Sequence, residues 1–316
     1  MNSRLQVITG NQNGVFSAAD AARVGVGADE LLVMARRRQV VRVRRGAYVL
    51  ADRYSAAEPS ERALLRALAV LRTRRDGDRL SHHSALAFLE VATFDVPQDV
   101  VAIETRTTTR RRVNAGLAMH PWSGGETWSR GSFQSVSPAA ACVQVARVAG
   151  FMAGLSAVDS ALHRSLCSRA DLQRWADILA GPKAATVARV IAAADDRAES
   201  VGETRTRVIL VDAGLPFRSQ VEIRDSVGLI GRVDFLVDGC LVLEFDGLAK
   251  YAGAAGDMAL AREKVREDRL RRAGLEVERV IWSELDDPAT LLRRISRARA
   301  LARERRAAGR QLRMPG

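Results

Sequence analysis

The chain has 316 residues, 47% of them hydrophobic, which is enough for two or three domains that each bury a core. Its formal net charge of +12 favours a polyanionic partner, nucleic acid first and an acidic membrane surface second. The 3 cysteines are scattered, which argues against a disulfide framework and a thiolate zinc site. Neither a signal peptide nor a membrane-spanning run is visible, so we expect a cytoplasmic protein with no membrane partner.

The first fifty residues have the pattern of three short helices followed by a β-hairpin. The helices are predicted over residues 4–12, 18–24 and 28–38, with Ser17 as the N-cap of the second. The inner face of the third helix is predicted to consist of Leu31, Leu32 and Ala35. Residues 40–50 alternate as a hairpin with its turn at Arg45-Gly46. This is the plan of a winged helix-turn-helix, whose third helix enters the major groove of DNA while the wing follows phosphates.

The third helix and the wing carry the candidate DNA contacts, which are Arg36, Arg37, Arg38, Arg42, Arg44 and Arg45. The stretch also resembles the N-terminal domain of AbiEi-type antitoxins, the antitoxin half of type IV toxin–antitoxin pairs. That resemblance rests on residues 14–18, the Gly25 break and residues 44–48, and it implies DNA binding and a cognate toxin protein as partner. Asp29 and Glu30 depart from a DNA-reading helix, because their charges would repel phosphates. The alternative is a winged domain that packs on a protein.

The middle of the chain mixes helices and strands and ends at Gly181-Pro182, the best candidate for a domain boundary. Residues 159–162 and 170–172 resemble segments of AbiEi-like middle domains, and we interpret this part of the chain as a scaffold. The adjacent His82 and His83 invite a metal-site interpretation. However, they point to different sides of any helix, and no further ligand stands at metal spacing. Packing is therefore the favoured interpretation for both histidines.

The last third of the chain predicts the order helix, three strands, helix, strand, helix, over residues 198–214, 220–223, 228–237, 240–247, 258–273, 275–282 and from Pro288 onward. This order is the core of the PD-(D/E)XK nuclease superfamily. The segment resembles the very-short-patch-repair (Vsr)-like branch of that superfamily through residues 202–207, 231–235, 243–247 and 268–277.

The predicted fold class is α/β (α+β overall), in three parts. These are a winged helix-turn-helix at residues 1–55, an AbiEi-like α/β middle domain at 56–181, and a Vsr-like domain with a basic C-terminal helix at 182–316. The last part is expected to be a restriction-endonuclease-like mixed sheet flanked by helices.

Two apolar strands of this last part carry acids and no other charge, at Asp234 on the first and at Glu244 and Asp246 on the second. Carboxylates on core-facing strands are costly to bury unless they are paired or hold a metal. The register of the hairpin decides whether the acids meet. A two-residue loop would place Asp234 opposite Leu243, whereas a three-residue loop would pair Val237 with Leu241 and place Asp234 opposite Glu244. We expect the second register, which makes a carboxylate cluster suited to Mg²⁺.

The Vsr-like resemblance implies a metal-dependent DNA endonuclease. In it Asp234 and Glu244 hold Mg²⁺ (or Mn²⁺), and Glu203 binds a second ion or orients the attacking water. The family's motif usually places a lysine two residues after the glutamate, but here Asp246 occupies that position. The cation that steadies the phosphoryl charge is therefore sought at Lys250 or, better placed on the following helix, at Lys264. Further DNA contacts are expected from Arg266 and Arg269.

Three alternatives stay open. In the first, the acids of the hairpin bridge to arginines of the following helix and hold no metal. In the second, the chain is an AbiEi-like transcriptional autorepressor with a catalytically inactive nuclease-like domain. The third, which is less favoured, is an RNA-directed nuclease of a defence system.

Overall fold

The computed structural model describes residues 13–247 and 254–311, together with Leu5, Thr9 and Gly10; for residues 254–260 and 308–311 it describes the backbone only. The chain divides into two compact units, residues 1–194 and 195–316. Helices and three sheets make up the described chain, so the predicted α/β class is confirmed. No helix within the described ranges is both long and apolar enough to cross a bilayer.

The first unit begins with a small antiparallel sheet and two helices. Its elements are β1 (Val15–Ser17), α1 (Ala18–Arg23), α2 (Ala28–Arg36), β2 (Val40–Arg44) and β3 (Ala47–Leu50), with the strand order β1-β3-β2. Ser17 caps α1 as predicted, since its hydroxyl accepts a hydrogen bond from the Asp20 amide at 3.0 Å. The hairpin turn lies where the sequence predicts it. The expected helix over residues 4–12 falls mostly outside the described residues.

One face of α2 differs from its prediction. Leu31 is buried as expected, but Leu32 is 44% exposed, and Met34 is buried instead. Residues three apart share a helix face, whereas adjacent residues are rotated by about 100°. The inner face of α2 therefore follows the pair Leu31 and Met34, and Leu32 points to solvent.

The same unit continues into a six-stranded sheet covered by helices. The elements are α3 (Ala51–Ala56), α4 (Pro59–Leu71), β4 (Arg79–Leu80), α5 (His82–Phe88), β5 (Val101–Thr105), β6 (Arg112–Asn114), β7 (Leu117–Pro121), β8 (Thr127–Arg130), β9 (Phe133–Val136), α6 (Pro138–Ala149), α7 (Phe151–His163), α8 (Arg169–Ile178) and α9 (Ala184–Ala193). The strand order is β6-β7-β5-β4-β9-β8. An ion pair at 2.7 Å between the fully buried Arg79 and Glu104 joins β4 to β5.

The boundary expected at Gly181-Pro182 lies later in the chain, between Ala194 and Asp195. Helix α9 packs on α6, α7 and α8 and buries Val187 and Val190, so it belongs to the first unit. The predicted boundary between residues 55 and 56 does not divide compact units either. Arg72, directly after α4, pairs with Asp20 of α1 at 2.5 Å, which ties the N-terminal helices to α4.

The second unit is a mixed four-stranded sheet between helices. Its elements are α10 (Val201–Asp212), β10 (Phe217–Asp225), β11 (Gly228–Val237), β12 (Leu241–Phe245), α11 (Ala254–Arg272), β13 (Glu276–Val280), a 3-10 turn (Trp282–Glu284) and α12 (Pro288–Gln311). The strand order is β10-β11-β12-β13, and only β12 and β13 are parallel, joined by the α11 crossover. One core cluster joins the sheet to α10 and α12, and another joins it to Leu270 of α11. The predicted order of elements is confirmed.

Candidate functional site

The hairpin of β11 and β12 adopts the register that brings its acids together. Val237 pairs with Leu241, and Phe235 pairs with Leu243. The turn between them has three residues, and Asp238 and Gly239 in it take left-handed φ values of 51° and 68°. Continuing this pairing by one residue places Asp234 beside Glu244. The predicted register is therefore confirmed.

Asp234 is half-buried beside other carboxylates. Its Oδ2 accepts a hydrogen bond from the Phe245 amide at 2.8 Å. The pKa of Asp234 is raised to about 7, chiefly by burial and also by the carboxylates of Glu203, Glu244 and Glu199, while the hydrogen bond from the Phe245 amide opposes the rise. Near neutral pH this carboxyl is poised between its two protonation states, and a bound cation would favour the ionised one.

Glu203 is buried near the start of α10, where it completes the helix cap. Ser200 is the N-cap residue, and its hydroxyl donates to Glu203 Oε1 at 2.8 Å. The Glu199 amide donates to Glu203 Oε2 at 3.0 Å. Glu203 is close enough for its charge to raise the pKa of Asp234. Both carboxylate oxygens of Glu203, however, already accept hydrogen bonds from the protein.

Gln220 is a site residue that sequence reasoning did not single out. Its amide nitrogen donates to Glu203 Oε2 at 2.8 Å, and its φ is 51°. In the β10–β11 ladder its neighbours Ser219 and Val221 pair with Phe235 and Val233, so Gln220 lies opposite Asp234. Its position in a predicted strand was the only available signal, and a lone glutamine in a strand carries no chemical meaning until its neighbours are known.

Glu244 is held by an arginine of α11. Arg266 binds it with both terminal nitrogens, from Nη2 to Oε1 at 2.5 Å and from Nη1 to Oε2 at 3.1 Å. The hydrogen bond to Glu244 raises the pKa of Arg266 above its usual range, so the guanidinium stays charged. The alternative in which hairpin acids bridge to the following helix is thus present at Glu244, whereas Asp234 accepts a backbone amide instead. Arg266, expected as a DNA contact, lies among the site carboxylates.

The remaining predicted residues of this unit lie around that pair. Asp246 is half-buried, and its amide donates to the Val280 carbonyl at 2.8 Å, which fixes the end of β12 against β13. Lys264 is exposed on α11 and forms no ion pair with the carboxylates that the structure describes. Lys250 lies outside the described residues. Arg269 binds Asp225 through Nε at 2.9 Å and Nη2 at 2.8 Å, at the far end of β10.

The carboxylate oxygens of the site suit a hard divalent cation, although protein groups hold some of them: the Phe245 amide binds Asp234, and Arg266 binds Glu244. Among the described residues, no three His, Cys, Asp or Glu side chains are grouped so that they could share one metal ion. The oxygens of Asp234 and Glu244 are the ligands that Mg²⁺ prefers. Two features support the fit: burial, together with the neighbouring carboxylates, raises the pKa of Asp234, and the Arg266 guanidinium already binds Glu244 as a cation. Asp234 and Glu244 would hold the metal, with Glu203 behind them.

The predicted DNA contacts of the first unit divide into two groups. The exposed ones are Arg36, Arg37, Arg38, Arg42 and Arg45, at the end of α2 and on the wing. Arg44 differs from them, because its guanidinium donates to the Ala115 carbonyl at 3.2 Å and to the Asn114 carbonyl at 3.4 Å. Arg44 therefore anchors the wing on the β6–β7 turn.

The two adjacent histidines are packed side chains, as the sequence favoured. The ring of His82 stacks on that of His120 with centroids 3.8 Å apart, and it shares a hydrogen bond with Ser81. Burial lowers the pKa of His82 and lowers that of His120 to about 4, so both rings are neutral near neutral pH. His83 contacts the Val100 carbonyl at 2.6 Å.

The chain is similar to two proteins of Mycobacterium tuberculosis, one from strain CDC 1551 / Oshkosh and one from strain ATCC 25618 / H37Rv, both described as uncharacterized. Each is 29% identical over 248 residues, which are 77% of this chain and 89% of the relative. No family model matches the chain. These relatives name no activity, so any function has to be argued from the site itself.

Proposed function

We propose that this chain is a DNA-binding protein whose second unit is a metal-dependent endonuclease. The observation that carries the proposal is the hairpin register, which sets Asp234 of β11 beside Glu244 of β12. Burying two carboxylates side by side is unfavourable, and a divalent cation is the partner that such a pair most directly accepts. The resemblance of this segment to Vsr-like nucleases points the same way.

Each residue of the site has a proposed part. When bound, Mg²⁺ would polarise a phosphoryl oxygen and lower the pKa of a water molecule, which supplies the nucleophile for hydrolysis of a phosphodiester. Asp234 and Glu244 would bind the ion. Glu203 would hold the Gln220 amide opposite Asp234, through the 2.8 Å hydrogen bond between them.

The DNA-binding part of the proposal is supported by charge. The exposed arginines of α2 and the wing form a basic surface on the first unit, and the chain as a whole has a net charge of +12. A winged helix-turn-helix would place the wing along phosphates. Duplex affinity should then fall steeply with salt, because phosphate contacts release counterions.

Cleavage assays test the enzymatic part. Supercoiled, linear and single-stranded DNA, with an RNA arm, would be incubated with Mg²⁺ or Mn²⁺ and the wild type, Asp234→Ala or Glu244→Ala. We expect metal-dependent nicking that either substitution lowers by at least ~100-fold, with duplex binding retained. Asp225→Ala is the matched control. This acid also binds an arginine of α11, but it lies at the last residue of β10, away from Asp234 and Glu244. Cleavage that survives both substitutions would exclude this site.

A second function is favoured by a specific observation. Arg266 is bound to Glu244, and Asp246 stands where the PD-(D/E)XK motif usually has a lysine. Both fit an AbiEi-like autorepressor that binds DNA, and a cognate toxin protein, with a catalytically inactive nuclease-like domain. Salt-sensitive duplex binding without cleavage by any preparation, and without any effect of Mg²⁺, would favour this function over the endonuclease.

A further inference from the structure

Among the described residues, Arg266 is the positive side chain that binds Glu244, one member of the carboxylate pair. It is 21% exposed and its partner Glu244 is 14% exposed, so the ion pair is largely shielded from water. The fork of two hydrogen bonds fixes the guanidinium in the plane of the carboxylate. Lys264, two residues earlier, is about 200° away around the helix and exposed, so the two cannot both face the sheet.

The strand beneath is shaped to admit this guanidinium. A Cβ at Gly231 would lie 2.8 Å from Arg266 Nε, which is closer than real side chains approach. Arg266 Nη2 also donates to the Arg232 carbonyl at 3.0 Å. Glycine at position 231 therefore lets the arginine lie against the backbone of β11 on its way to Glu244.

A chain of ion pairs holds the other side of the guanidinium. Arg266 Nη1 contacts Glu263 Oε1 at 3.0 Å, and Glu263 also accepts from Arg279 at 3.0 Å. Arg266 thus has an alternative carboxylate, one turn back on its own helix, when Glu244 is taken by another cation. The guanidinium can leave Glu244 without becoming an unpaired charge.

We propose that Arg266 is an exchangeable counter-ion: it neutralises Glu244 in the free protein and moves to a phosphate of the bound nucleic acid when a divalent cation binds Glu244. This inference rests on the endonuclease function proposed above and names the cation that position 246 does not supply. Arginine suits both positions, because its planar fork matches a carboxylate and a phosphate equally well.

Replacing Arg266 should therefore change two quantities in opposite directions, the affinity for a divalent cation and the rate of cleavage. Without the competing guanidinium, Glu244 is free for metal, so the affinity of the nucleic-acid-free protein for a divalent cation should rise. Without a cation on the phosphate, cleavage at saturating metal should fall. A residue that merely supports the fold would lower both quantities together.

The test uses the full chain and Mn²⁺ alone as the probe, with binding followed by the electron paramagnetic resonance signal of free Mn²⁺. We expect Arg266→Gln to bind Mn²⁺ about tenfold more tightly than the wild type, a difference of about 1.4 kcal/mol. Cleavage of DNA at saturating Mn²⁺ should fall roughly 100-fold. Arg266→Lys keeps the charge without the fork, and it should show the same two changes at smaller size.

Arg271→Gln is the matched control, since Arg271 lies on the same helix and pairs with Glu267 at 2.7 Å, away from Asp234 and Glu244. It should change neither Mn²⁺ affinity nor cleavage. Unchanged or weaker Mn²⁺ binding in both folded Arg266 variants would overturn the counter-ion proposal, even if the wild type cleaves DNA. Tighter Mn²⁺ binding by Arg266→Gln together with a wild type that cleaves no nucleic acid would support the competition for Glu244 but reject the endonuclease.

Discussion

The pKa of Asp234 is set by the groups that surround its carboxyl in the folded protein. Burial and three neighbouring carboxylates favour its protonated form, while the Phe245 amide favours the ionised form, and the balance leaves its pKa at about 7. In an unfolded chain the same group would have its ordinary pKa of 3.8. The folded state therefore binds more protons than the unfolded state between these two values.

The pH dependence of stability follows from that difference. The stabilising contribution of protonated Asp234 is complete below pH ~4 and is lost as the pH rises through about 7. We therefore expect Asp234→Asn to be more stable than the wild type at pH 8 by about 1–2 kcal/mol, after allowing for partial exposure, and to show a smaller advantage at pH 5. Urea denaturation at the two pH values, in a metal chelator, measures this.

Asp225 supplies the opposite control. The hydrogen bond from Arg269 lowers the pKa of Asp225 to about 2, so its contribution is present above pH ~4 and is lost as the pH falls through about 2. Asp225→Asn should therefore lower stability at pH 8. An Asp234→Asn variant that is also less stable than the wild type at pH 8 would contradict the burial argument.

At the scale of elements, helix α10 and strand β12 meet at a glycine. A Cβ at Gly202 would overlap the ring of Phe245, the strand residue between Glu244 and Asp246. The same ring packs edge-on against Trp282, with centroids 4.9 Å apart. The ring is therefore held on two sides, and the close approach of helix to strand positions the acidic end of β12.

Gly202→Ala should destabilise the second unit through this contact. We expect a loss of about 1–3 kcal/mol, because a methyl group must displace a packed aromatic ring. Urea denaturation followed by tryptophan fluorescence measures the loss. Val211→Ala on the same helix is the control, since Val211 is 57% exposed and its loss should change stability by about 0.5 kcal/mol or less. Equal stability of Gly202→Ala and the wild type would mean that helix and strand separate without cost.

At the scale of the whole molecule, the excess positive charge is not spread evenly. The arginines of the basic last helix are largely paired: Arg294 with Glu278 and Glu284, Arg299 and Arg303 with Asp238, and Arg305 with Glu276. The exposed arginines at the end of α2 and on the wing, by contrast, form no ion pair with described residues. Arg44 forms none either, since its guanidinium donates to backbone carbonyls. The charge available to a polyanion therefore includes the N-terminal surface of the first unit.

The salt dependence of duplex binding tests that distribution. The double variant Arg42→Ala and Arg45→Ala should bind DNA more weakly, and the slope of log affinity against log salt should become shallower by roughly 2. Arg303→Ala is the control, since this arginine already pairs with Asp238 at 2.8 Å. Fluorescence anisotropy over a range of salt gives the slopes. A double variant with the wild-type slope would remove the wing from the DNA interface.

Local patterns were enough to predict most of the elements. Alternation with a period of two residues predicts the β2–β3 hairpin, apolar runs around a turn predict β11 and β12, and Ser17 and Pro138 mark helix starts by their own chemistry. The domain boundary could not be found in this way. Gly181-Pro182 is a strong local break, but the packing of α9 on distant helices decides to which unit the following residues belong.

The sequence by itself determined that Asp234 and Glu244 lie on two apolar strands, with Asp246 directly after the second, because the apolar runs and the turn residues are local properties. Only the tertiary structure decided which groups meet these acids. Arg266 reaches Glu244 from α11, and Gln220 binds Glu203 from its position opposite Asp234. Lys264 turns away because a helix rotates each residue by about 100°. The rotation of a helix about its axis is fixed by packing on the sheet, which no short stretch of sequence encodes.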